Sequence, residues 1–331
     1  MRGIVHLSKL AALFSLVFFG QCIPLSASSI LMGNRFNSAT GTQEFVHIDR
    51  VTGAITPVGP GVTGSPAISA TAEGLALGGF YSIRAQPSGQ SAGLYSFDVA
   101  SGAIVNMPAF PTNIGGMRYG AGGSILGLRF NAGTEELLSV DPVTGSISTI
   151  GLGIPNIGVF NGQATYDPVN DVYSFLGTLN DGMGLRIFSL NASTGALIGS
   201  PLYSPPSSVG FWNYDNSGRI LGLRFDSGTE RLVAIDPATA VVTDIGSGIA
   251  GFGSVVGSGS YDPVDNAFTF AGNRSGEGRR LFTLDAATGA ILSEPSFTTT
   301  INGLTYAPEP SVSLLLISAI GMVLSRRRRT A

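Results

Sequence analysis

A long internal repeat limits what this chain can fold into. SILGLRFNAGTEELLSVDPVTGSISTIG at Ser124 to Gly151 returns 95 residues later as RILGLRFDSGTERLVAIDPATAVVTDIG at Arg219 to Gly246. The second half of each unit returns too, TYDPVNDVYSF at Thr165 as SYDPVDNAFTF at Ser260, and IFSLNASTGAL at Ile187 as LFTLDAATGAI at Leu281. A third, more diverged copy, SILMGNRFNSATGTQEFVHIDRVTGAITPVG, opens at Ser29. Units that recur in this way bury their apolar faces by stacking on their neighbours, as in rings and solenoids.

Each half-unit closes on one phrase: an apolar strand, an Asp or Asn, a turn, and a second short strand. The six Asp/Asn positions are 49, 98, 141, 191, 236 and 285, spaced by 43 to 50 residues, which is a propeller-blade length. Alternating apolar and small polar residues within the runs predict strands. Two more strand-like runs precede each phrase, such as Ile114 to Tyr119 and Ser124 to Phe130, giving four strands per unit. The expected fold is therefore all-β, a six-bladed propeller over residues 28–307. The first unit lacks an innermost strand, while Ile301 to Tyr306 is left over at the other end. That segment is predicted to complete the first blade and close the ring, removing both exposed edges.

With 47 Gly, 18 Pro and only 12% charged residues, the composition suits many short strands and tight turns. Residues 1–27 read as a secretory signal, with Arg2 and Lys9 flanking the n-region, an apolar run from Leu10 to Gly20, and small residues near Ala27. The single cysteine, Cys22, would leave with that signal, so no disulfide, thiolate nucleophile or cysteine metal site is expected. Phe19-Gly20-Gln21 before it does not fit a lipoprotein signal. The remaining propeller carries twelve arginines and no lysine, and with Glu309 counted the net charge is near −9, which excludes nucleic acid as a partner through bulk charge. His47, the only histidine left, would have to serve any Ser-His-Asp triad, but it sits inside the strand phrase FVHID where other blades have small residues such as Ser or Ala; one histidine is too few for a zinc site, and no catalytic residues are assigned.

The repeated Asp/Asn and Gly residues are expected to close Asx turns and hairpins, and the Tyr166-Asp167-Pro168 and Tyr261-Asp262-Pro263 runs to form turns between the first two strands. The alternative is a shallow calcium or sugar contact; calcium is the one ion to consider, and no other cofactor is expected. Arg35, Arg129 and Arg224 recur once per two blades. They are candidates for binding an acidic ligand, against a structural reading as ion pairs to a neighbouring blade. Tyr119, Tyr214 and Tyr306 end the innermost strands and could stack on sugars or pack between blades.

At the C-terminus, Pro308-Glu309-Pro310 precedes an apolar run from Ser311 to Leu324 and the cluster Arg326 to Arg329. Fourteen apolar residues are short of a stable span, so the bland reading is a weak anchor. The segment resembles the PEP-CTERM sorting tail of exported bacterial proteins. The resemblance covers 308–331 and implies recognition of Pro308, Glu309 and Pro310 by an exosortase-type membrane transpeptidase. It also implies transient inner-membrane insertion, removal of the tail, and delivery to the envelope, cell surface or extracellular matrix. The LDAATG-type phrases are similar to the repeats of pyrroloquinoline quinone propellers, which implies the fold. The quinone is not carried over, because those enzymes place a Trp in each blade and this chain has only Trp212.

The expected function is a non-enzymatic, exported protein that binds exopolysaccharide or a surface protein through propeller loops. The alternatives are an exported lyase or hydrolase acting on polysaccharide or a lactone, and a passive spacer.

Overall fold

The computed structural model describes residues 29–63, 67–72, 80–86, 93–110, 114–205, 207–226, 228–297 and 299–308. The expected signal segment, Glu309, Pro310 and the rest of the C-terminal tail lie outside the described residues. Twenty-four strands form six antiparallel four-stranded sheets, as the repeat predicts. Blade 1 holds β1 (Ser29–Asn37), β2 (Thr42–Ile48) and β3 (Ile55–Thr63); blade 2 holds β4 (Ala67–Ala72), β5 (Phe80–Gln86), β6 (Gly93–Asp98) and β7 (Ile104–Asn106). Blade 3 is β8 (Gly115–Tyr119), β9 (Ile125–Asn131), β10 (Thr134–Val140) and β11 (Ile147–Pro155). Blade 4 is β12 (Ile157–Asp167), β13 (Val172–Leu179), β14 (Leu185–Asn191) and β15 (Leu197–Gly199). Blade 5 is β16 (Val209–Tyr214), β17 (Ile220–Asp226), β18 (Thr229–Ile235) and β19 (Val242–Ala250). Blade 6 is β20 (Phe252–Asp262), β21 (Ala267–Arg274), β22 (Gly278–Asp285) and β23 (Ile291–Ser293), and β24 (Asn302–Pro308) follows it.

The last strand joins the first sheet, in the order β24-β1-β2-β3, so the ring closes as predicted. Its register sets Leu31 opposite Tyr306 and Met32 opposite Thr305. The strand begins one residue later and ends two residues later than expected, because Ser29 and Ile30 offer backbone partners to Pro308 and Ala307. Pro308, read from sequence as the start of the tail, is thus the end of the closing strand.

Both surfaces of each blade are covered by neighbours, so apolar residues point both ways. Six buried clusters result, one at each junction. One lies between blades 3 and 4 with Leu128, Leu137, Ile157, Tyr173 and Phe188, and another between blades 4 and 5 with Ile187, Tyr203, Trp212 and Val233. The close approach of inner strands explains one repeated glycine. A Cβ on Gly33, Gly127 or Gly222 would lie 2.4, 2.4 or 2.7 Å from Ile301, Ile114 or Val209.

Because strands alternate in direction, the turns after the first and third strands of every blade share one face of the ring. The connections between blades lie on the other. The turn face holds Asp49, Asp98, Asp141, Asp167, Asp171, Asp215, Asp236, Asp262, Asp265 and Asp285, with Arg50 and Arg219 as its turn arginines.

Candidate functional site

The three repeated arginines occupy equivalent places on β1, β9 and β17. Each is tied within its own blade, which corrects the expected ion pairs to a neighbouring blade. Arg35 Nε donates to Glu44 at 2.8 Å and Arg129 Nη2 to Glu136 at 2.5 Å, because those residues sit directly opposite on the adjacent strand. In blade 5 the opposite residue is Arg231, and Arg224 turns instead to Asp226 at 3.0 Å and Asp244 at 2.6 Å. Burial pulls the Glu44 carboxyl up, but hydrogen bonds from Asn37 and Arg35 outweigh it and hold it below its ordinary value. All three guanidinium groups therefore already carry a carboxylate.

Tyr119, Tyr214 and Tyr306 are buried, at 5%, 8% and 7% exposure, so their rings pack between blades and offer no open face to a sugar. Their hydroxyls form a repeated latch to the preceding blade. Tyr119 bonds Ser82, which bonds Ser96 at 2.7 Å. Tyr214 meets Ser174 at 2.7 Å and Ser174 meets Ser189 at 2.7 Å, while Tyr306 meets Thr269 at 2.6 Å and Thr269 meets Thr283 at 3.0 Å. Burial pushes the Tyr119 and Tyr214 phenols up to about 12. His47, on β2, bonds the Val99 carbonyl of the next blade through Nε2 at 3.0 Å.

All six repeated Asp/Asn residues close turns. Thr194 N–H donates to Asn191 Oδ1 at 2.8 Å, Val143 N–H to Asp141 at 2.7 Å, and Thr288 N–H to Asp285 at 2.7 Å, with the same pattern at Asp49, Asp98 and Asp236. The N–H of Thr52 first, then that of Val51, holds Asp49 below the usual carboxylate range. In the Tyr-Asp-Pro turns, Val169 N–H donates to Asp167 at 2.9 Å and Val264 N–H to Asp262 at 2.9 Å. Among the described residues no three His, Cys, Asp or Glu side chains gather into a metal-holding group.

Two features are not foreseen from the sequence. The first is a pair of buried carboxylates, Glu135 and Glu230, at equivalent places on β10 and β18 and only 3% and 6% exposed. Burial, then the neighbouring Glu136 or Asp226, pushes both up to about 7. Their equivalence is visible in TEELL and TERLV, but a charged residue at a strand start reads as solvent-facing.

The second is an apolar cleft of about 510 Å³ between blades 4 and 5, lined by residues that include Leu176, Met183, Leu185, Leu202, Tyr203 and Val209. Its signal in the sequence is a departure from the repeat. The segment joining Tyr203 to Val209 has five residues where the equivalent joins, Phe110 to Ile114 and Phe297 to Ile301, have three.

No family model matches the chain, and no curated protein is similar to it in sequence. Solved structures resemble its fold. TolB from Acinetobacter baumannii superposes with a TM-score of 0.59 at 17% identity, over 86% of this chain and 68% of that one. A protein of unknown function from Bacteroides caccae gives 0.53 at 13% identity, over 86% and 100%. A putative TolB from Agrobacterium tumefaciens gives 0.52 at 12%, over 85% and 99%. At these identities the likeness is one of fold.

Proposed function

We propose that the chain is an exported, non-enzymatic binding protein of the bacterial cell surface or extracellular matrix, delivered by an exosortase-type system. The observation that carries this reading is the position of the sorting-tail sequence: Pro-Glu-Pro begins on the last residue of β24, the strand that closes the ring. Recognition of the tail would then act on a propeller already held shut, and cleavage beyond Pro308 would leave the closing strand in place. The signal-like segment at residues 1–27 supports export in the same way.

Absence of catalysis is supported by where the reactive groups point. The repeated arginines bond carboxylates of their own blade, the turn aspartates bond backbone N–H groups, and the tyrosine hydroxyls bond Ser or Thr hydroxyls of the preceding blade. The two carboxylates with the protonation range of a general acid, Glu135 and Glu230, are buried in blade junctions. The Asp-rich turn face favours a neutral or cationic partner over a polyanion.

The test titrates the purified protein with the host's exopolysaccharide and surface-protein fractions, with and without calcium, and analyses the same samples for products. Saturable binding with the polymer left intact is expected. Release of shorter or unsaturated fragments would make the protein an enzyme, and no binding to any fraction would make it a spacer.

A further inference from the structure

The two-blade repeat provides an internal comparison, since the junctions between blades 2 and 3, 4 and 5, and 6 and 1 are equivalent. Isolated bridges at Gly93–Ala109, Arg186–Leu202 and Arg280–Ser296 mark the same place in each. At two junctions charged side chains cover that place. The Arg84 guanidinium lies 6.0 Å from the centre of the Phe110 ring. Arg279 Nη1 donates to Thr300 Oγ1 at 2.7 Å, and Arg280 pairs with Glu277 at 2.8 Å.

Between blades 4 and 5 the residues aligned with Arg84, Glu277 and Arg279 are Leu176, Met183 and Leu185, while Arg186, aligned with Arg280, is retained outside the cleft lining and donates to the Ser200 carbonyl at 2.8 Å. Leu202 stands where the other copies have Ala109 and Ser296, and Tyr203 where they have Phe110 and Phe297. Two inserted residues lengthen the adjoining connection. The result is the open cleft of about 510 Å³, with no charged residue in its lining. That volume falls in the range of small-molecule sites, which run from about 300 to 1,000 Å³.

The hydroxyl of Tyr203 is the polar anomaly. The residue is 3% exposed and lines the cleft, yet its hydroxyl has no hydrogen-bond partner among the described residues. A buried donor left unpaired is destabilising, and a phenylalanine, as in both sister copies, would avoid that cost. Burial raises the phenol's pKa, so the group is held as a donor. The ring itself is fixed edge-on against Trp212, with centroids 5.6 Å apart.

We propose that this cleft is a binding site for a small, uncharged, mostly apolar molecule carrying a carbonyl-type acceptor, which takes its hydrogen bond from Tyr203 Oη. The leucines and Met183 supply apolar contact, and uncharged residues at the places of Arg84, Glu277 and Arg279 leave the site open. Met183 and Leu202, 63% and 54% exposed, stand at the mouth and can turn aside to admit it.

The test uses the neutral dye Nile red, whose flat fused rings bear one carbonyl, titrated into the full chain and read by fluorescence. One saturable site with blue-shifted emission is expected. Leu176→Arg restores the residue that blade 2 carries and should weaken binding at least tenfold. Tyr203→Phe copies both sister blades and should weaken it about five- to tenfold, the scale of one neutral hydrogen bond. Melting curves check that both variants fold; should Leu176→Arg fail to fold, Leu185→Arg, which copies Arg279 of blade 6, takes its place. Leu292→Ser, on the exposed edge of blade 6, should bind like the parent. No saturable binding, or binding undiminished by the arginine variants, would overturn the site. Binding undiminished by Tyr203→Phe would overturn the role of the hydroxyl.

Discussion

Gln43, Glu135 and Glu230 hold one place in blades 1, 3 and 5, and their fates show how single residues set the properties of this ring. Gln43 donates to Asn34 at 2.9 Å, Asn34 to the Tyr81 hydroxyl at 2.9 Å, and that hydroxyl to the Gly303 carbonyl at 2.8 Å. In blade 3 Leu128 replaces the asparagine, although Tyr173 keeps its bond to the Gly116 carbonyl. In blade 5 Leu223 and Phe268 replace both polar partners, and Glu230 Oε2 has no partner among the described residues. Both glutamates have folded-state pKa values of about 7 against an ordinary 4.5. Between those values the folded chain binds more protons than the unfolded one, so stability falls as pH rises and the contribution is gone above 7. The loss is on the order of 2–3 kcal/mol for each group. The turn aspartates, whose pKa values are lowered, act in the opposite sense and only at more acid pH. The melting temperature is therefore expected to fall by roughly 5–15 °C between pH 5.5 and 8.5. The Glu135→Gln/Glu230→Gln double variant should melt higher at pH 8.5 and show little pH dependence over this range. Calorimetry at the two pH values checks this, and a flat parent profile would contradict it. The aligned positions could be read from sequence; the burial that shifts them depends on the adjacent blade and could not.

The closing strand is the element on which the ring depends. Besides β24 itself, the seam between blades 6 and 1 carries a further tie in Arg50, where the equivalent phrases have Pro142 and Pro237. Its Nη1 donates to the fully buried Asp262 at 3.0 Å, its Nη2 pairs with Asp265, and the Ser29 hydroxyl also donates to Asp262. Deleting Asn302–Pro308 would uncover the edge of β1 and remove Leu304, which with Ile301 fills the apolar cluster between blades 6 and 1. A sharp fall in melting temperature with aggregation is expected by light scattering, and an unchanged melting curve would mean the ring closes otherwise. Strand count and closure were legible because the repeat left one strand missing and one to spare. Local compensation was not. Gly116 and Gly303 adopt φ of 60° and 59° at a bulge of the inner strand, and the third copy has Phe211 there at 61°. A Cβ at Gly116 would lie 2.6 Å from the Tyr173 hydroxyl and 3.1 Å from the Phe160 ring. Phe211 is accommodated because Phe268 and Val255 replace those two residues, so the blade 5–6 junction exchanges one aromatic for another at similar volume.

At the scale of the whole molecule, the threefold echo of a two-blade unit separates what maintains the ring from what differs around it. Residues that recur, the arginine ion pairs, tyrosine latches and turn aspartates, bond within the scaffold, and most sites named from the sequence were of this kind. Repetition drew attention to them for that reason. The cleft between blades 4 and 5 is instead written in departures from the repeat: a longer connection, leucines for arginines, and a hydroxyl that the sister copies lack. Charge is also sided, with the Asp-rich turns on one face. The register of Ser29 with Pro308 brings the two ends of the described chain together there. The most direct test is the intact mass, with terminal peptide sequencing, of the protein recovered from the surface and matrix fractions of its host. The expected product is a folded propeller that starts near Ser28 and has lost the apolar run and Arg326 to Arg329. A full-length chain confined to the cytoplasm, with Met1 and the arginine cluster intact, would contradict it.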